Sequence, residues 1–147
     1  MEAVHIKNMV LAAIATAGSV LANALGGWDA PIKLLLCLMA ADFVTGLMIA
    51  FIWQKSPKTE TGKASSSASF RGLVKKACIL LVVWLAVQLD TSLGTTYVRM
   101  AVIIFFAGNE GLSLLENLGI MGVPYPQFMK NMFEALHEKG DKGENET

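Results

Sequence analysis

The chain has 147 residues, 54% of them hydrophobic and only 16% charged, with a mean hydropathy of +0.51 and a formal net charge of zero. Soluble domains carry about 25% charged residues. Here the apolar side chains gather into long runs, which implies a single integral membrane unit of helices (residues 1–139) and no bulk attraction to nucleic acid. Both cysteines, Cys37 and Cys78, lie inside apolar runs and outside any CxxC or Cys/His cluster, so zinc and redox chemistry have no support.

The first apolar segment, 9–25, is near the lower limit of the roughly 20 residues that a spanning helix needs. Its basic start is weak and its apolar stretch outruns the core of a signal peptide, so it reads as a retained helix. Ala15, Ser19, Ala22 and Gly26 recur at steps of four, three and four, and Gly18 with Ala22 adds a small-xxx-small pair. Such a face lets two backbones approach closely in lipid. The alternative is a marginal helix lying at the interface, which leaves three or four spans open.

After a turn at 26–31, anchored by Trp28, the second segment, 32–53, spans the bilayer. Asp42 sits about half-way along it, where an ionised carboxylate is costly. Asp42, Gly46 and Ala50 are spaced by four, so the acid shares a face with the smallest side chains, and Thr45 stands close enough to hydrogen-bond near it. An acid at this depth either serves assembly alone or lines water when subunits rearrange.

Residues 54–76 form the only long polar interruption, with Lys55, Lys58, Lys63, Arg71, Lys75 and Lys76 against a single acid, Glu60. A basic loop between apolar runs marks the cytoplasmic side of a membrane protein. The alternative, a linker between soluble hairpins, conflicts with flanking runs that lack a polar face. The third segment is 73–89, with Lys75 and Lys76 expected to snorkel to the cytoplasmic interface. The short turn 90–96 has no Lys or Arg, as an extracytoplasmic hairpin should.

The fourth segment, 97–118, reaches spanning length only by including GNEGLSLLENL. There Asn109, Ser113 and Glu116 fall at i, i+4 and i+7, and Glu110 and Asn117 are seven apart, a polar stripe opposite Leu112, Leu114, Leu115 and Leu118. Either the helix crosses with that stripe turned inward, or it stops near Gly108 and an amphipathic helix follows. Pro124 and Pro126 then break the chain. Residues 127–139 form an amphipathic helix that lies on the membrane surface or packs on a neighbour, and 140–147 form a disordered tail. Glu134 and His137 make a lone Glu-x-x-His pair with no partner motif, which carries no metal site.

The run Leu38–Gly46, the Lys-Ala-Ser-Ser-Ser stretch with Gly72 and Lys75-Lys76, Leu89-Asp90, and Asn109-Glu110-Gly111-x-Ser113-x-x-Glu116-Asn117 followed by Gly122-x-Pro124-x-Pro126 resemble phage holins of the toxin-secretion/phage-lysis type. The match covers most of the chain. The resemblance implies an all-α membrane protein with three or four transmembrane helices plus a C-terminal amphipathic helix. It implies no enzyme activity and no cofactor or metal. It further implies a homo-oligomer in the bacterial cytoplasmic membrane that opens timed lesions, passing an endolysin or a secreted toxin. A small ion channel or transporter subunit and a non-pore scaffold are the rival readings.

Overall fold

Apolar runs in lipid must satisfy their backbone groups internally, and these do so as helices. The computed structural model describes residues 2–143 and contains α1 (Glu2–Ala24), α2 (Ala30–Met48), α3 (Ser66–Leu93), α4 (Tyr97–Ile120) and α5 (Gln127–Lys142). A π-helical turn, Ile49–Trp53, prolongs α2. The first four helices are each long and apolar enough to cross a bilayer. The fold is thus all-α with four candidate spans and a C-terminal helix of mixed polarity.

Three boundaries differ from the sequence reading. α1 begins at Glu2, well ahead of the apolar run at Met9, because polar residues extend a helix without breaking it. α3 begins at Ser66, so the polar loop shortens to 54–65, and Arg71, Lys75 and Lys76 are helical. Finally, α5 continues to Lys142, into the stretch expected to be disordered, and 144–147 lie outside the described residues.

α4 is the central helix: it meets α2 and α3 through Glu110, Ser113 and Asn117 and meets α5 through Gly108 and Gly111, roughly opposite around the helix at 100° per residue. Ile32, Leu35, Ile79, Val83, Ile103, Ala107 and Leu115 form the dry core between α2, α3 and α4. α5 runs back along α4 rather than standing apart on a surface. The contact is close because glycine removes the Cβ: one built on Gly108 would lie within 3 Å of the backbone of Phe133 and His137, and one on Gly140 would meet the backbone of Phe105. Phe133 fills the space over Gly111, and His137 lies on Phe105 with ring centroids 4.3 Å apart. α1 is different: no described residue from Val4 to Ala24 is buried.

Polar fastenings close the end of the bundle opposite the basic loop. Asp90 accepts from Thr95 Oγ1 at 2.6 Å and from the backbone N–H groups of Val98 and Arg99 at 3.1 and 2.9 Å, which caps the start of α4. Arg99 forks onto Asp29 (2.7 and 3.0 Å) and donates to the carbonyl of Leu25 at 2.6 Å, tying the α1–α2 turn to α4. Asp29 also caps α2, accepting from Ile32 N at 3.2 Å.

The hydrogen bond from Arg99 holds the Asp29 carboxyl below its ordinary value of 3.8. A carboxyl lowered by folding stabilises fully above 3.8 and loses that contribution as pH falls below it. The melting-temperature difference between the parent and Asp29→Asn in detergent is therefore expected at neutral pH and should close below that value. The effect is modest, since the Asp29 side chain is 43% exposed and screened by solvent. A difference that stays constant into acid would remove the linkage.

Candidate functional site

Three helices bring ionisable groups to one level inside the bundle. Counting from the polar end, Asp42 lies 13 residues beyond Asp29, Lys76 lies 14 before Asp90, and Glu110 lies 11 beyond Arg99. At 1.5 Å per residue all three sit about 17–21 Å along their helices. Lys76 Nζ donates to Asp42 Oδ2 at 2.8 Å and to Glu110 Oε2. Ser113 Oγ donates to Asp42 Oδ1 at 2.6 Å, and Asn117 Nδ2 donates to Asp42 Oδ1 at 3.1 Å and to Thr45 Oγ1 at 3.0 Å. Thr45 in turn donates to the Ala41 carbonyl at 2.8 Å.

Burial makes this network consequential. Asp42 is 4% exposed, Glu110 2% and Asn117 5%. Charges and amides taken out of water this completely persist only when bonded to one another. Its members come from three helices, so the network fastens α2, α3 and α4 together in a way that apolar packing alone would not specify. Chemically it is a cation clamped between two carboxylates with a hydroxyl and an amide filling the remaining bonds. Among the described residues no group of three His, Cys, Asp or Glu side chains is placed to hold a metal ion.

The residues singled out from the sequence divide accordingly. Asp42, Glu110, Ser113 and Asn117 meet in the network. Asn109 and Glu116 do not join it: each precedes a network residue by one position, about 100° around the helix, and Glu116 is exposed. The single stripe is therefore two adjacent faces. Gly46 and Ala50 line a cleft of about 340 Å³ whose floor includes Asp42, Lys76 and Glu110 and whose rim carries Lys58, Arg71 and Lys75. Lys55 and Lys63 are exposed in the loop. Ala15, Gly18 and Ser19 are exposed on α1, Ala22 is half-buried, and a Cβ on Gly18 would meet nothing within 4 Å.

Lys76 corrects the expectation that it snorkels outward. Its side chain is 13% exposed, because two carboxylates at its own depth solvate the ammonium better than a reach to the interface. Arg99 also went unassigned in the sequence reading, although Asp29 faces it across the bundle end. Counting residues from the two short turns would have placed Lys76 level with Asp42.

Comparison with known proteins follows the same outline. Residues 19–138 match the bacteriophage holin family. An uncharacterized protein of Listeria innocua is 36% identical over 129 residues, 86% of each chain. An uncharacterized 14.9 kDa protein of Clostridium perfringens is 34% identical over 137 residues, 92% of this chain and 98% of that one. A probable holin of Bacillus phage phi105 is 29% identical over 112 residues, 76% of this chain and 77% of its own. No solved structure matches. A family match spanning the polar network and the three helices that build it makes this multi-pass membrane protein a member of the bacteriophage holin family.

Proposed function

We propose that the chain assembles with copies of itself in the bacterial cytoplasmic membrane and opens lesions large enough to pass an endolysin or a secreted toxin. The basic loop, 54–65, and the start of α3 with Arg71 and Lys75 face the cytoplasm in this reading, in keeping with the positive-inside rule. The family points to a non-enzymatic role, and the bilayer and other copies of the chain are the partners. α1, with Ala15, Gly18 and Ser19 exposed and Ala22 half-buried, supplies a face for close helix contact between copies.

The observation that carries the reading is the bonded cluster of Lys76, Asp42, Glu110, Ser113 and Asn117. Satisfied internally, it lets the protein persist as a closed unit. Broken, it presents two carboxylates and an ammonium that favour water, so the bundle has two states. Asp42→Leu and Glu110→Leu proteins are expected to insert normally yet fail to lyse cells at the parental time after regulated expression. Lysis on the usual schedule by both would reduce those acids to structural parts. A buried ion cluster would also suit a small ion channel; release of a cytoplasmic enzyme on induction separates the two, because a channel passes ions alone.

A further inference from the structure

The register of α5 on α4 creates a solvation problem. Gly108, which packs against the backbone of Phe133 and His137, is twelfth of the 24 residues of α4, and Gly140 lies still nearer the start of that helix, beside Phe105. A helix of that length is about 36 Å long, so its middle lies near the centre of a hydrocarbon core about 30 Å thick. The second half of α5 is thus held at membrane depth by backbone contact.

Around α5 three surfaces follow from about 100° per residue. Met129, Phe133, Leu136 and Gly140 face α4. Phe128 and Met132, 61% and 55% exposed, occupy one flank, which the half-buried Lys139 shares further along the helix. The other flank carries Lys130, Glu134, Glu138 and Asp141 at steps of four, four and three, all exposed, with Lys130 and Glu134 3.7 Å apart. Each charge near the bilayer centre costs about 2.5–3.5 kcal/mol on insertion scales, so this flank cannot face acyl chains. α2 and α3 meet α4 through Glu110, Ser113 and Asn117, away from the Gly108–Gly111 face that carries α5, and these four side chains stay exposed among the described residues.

We infer that in the assembled lesion this flank of α5 faces water, with Lys130, Glu134, Glu138 and Asp141 lining the lumen. The inference rests on the pore-forming reading above and adds the surface that meets the aqueous path. The Lys76 network must break before its groups reach water; this flank is already polar, so α3 can separate while α4 and α5 stay docked.

The test uses the full chain with Cys37→Ala and Cys78→Ala, reconstituted in phosphatidylglycerol-containing vesicles loaded with a fluorescent dextran. Phe105→Cys with His137→Cys locks α5 to α4 on oxidation; the two rings are in contact, and His137 Nδ1 is buried without a hydrogen-bond partner, so removing it loses no bond. The oxidised pair is expected to release dextran as the parent does. Lys130→Leu/Glu134→Leu/Glu138→Leu is expected to insert equally well and release dextran about tenfold more slowly, its lumen face having become apolar. Release lost on oxidation and restored by reductant would show that α5 must leave α4, and parental release by the triple variant would show that the flank meets no water; either overturns the inference alone. A parent that inserts but never releases dextran overturns the pore-forming reading together with it.

Discussion

Lys76→Met is expected to destabilise the bundle by about 3–5 kcal/mol, because it leaves buried carboxylates without their cation. Asp42 would keep Ser113 and Asn117, whereas Glu110, 2% exposed, would lose the ammonium it bonds. The cost lies in the uncompensated acids and not in any large gain from the ion pair. Lys76→Met/Glu110→Leu/Asp42→Asn should therefore recover most of the loss, since apolar or neutral groups need no partner charge. Unfolding in mixed micelles measures both. A single variant within about 0.5 kcal/mol of the parent would place it among ordinary surface changes and remove Lys76 from the network.

Gly108→Ala and Gly140→Ala are expected to cost about 2–3 kcal/mol each, as overpacking against backbone that cannot yield. The nearest neighbours of the added methyl are main-chain atoms of α5 or α4, within 3 Å in both cases. No rotamer change relieves that, so α5 must shift off α4 and expose Phe133. Gly119→Ala is the control. It lies in the last turn of α4 with nothing within 4 Å of its Cβ position, and should gain up to about 1 kcal/mol from helix propensity. Protease cleavage within α5 in micelles should quicken in the first two variants and not in the third. Equal cleavage in all three would mean that α5 is not seated as described.

Much of this protein is written in local chemistry. Segments of 17 to 22 apolar residues become helices wherever water is absent, since a helix satisfies every backbone group within the one segment. Gly and Pro at 26–31 and 122–126 end those helices as turn chemistry requires. Asp42 stood out as an acid in an apolar run, and the Asn109–Asn117 stretch as a polar patch at helical spacing. Helical period alone, however, merged two neighbouring faces into one stripe, because the 100° step between Glu110 and Asn109 is too fine for composition to separate without a partner helix.

What the sequence determined by itself is the class of the molecule: an all-helical membrane protein with acids hidden in its spans, since hydropathy and burial of backbone groups are properties of each segment alone. What only the tertiary structure decided is which charge meets which. Lys76 belongs to Asp42 and Glu110, Arg99 to Asp29, and α5 to the glycine face of α4. These pairings depend on how far each helix runs before it turns and on which side of α4 a neighbour arrives, and no single segment carries that information.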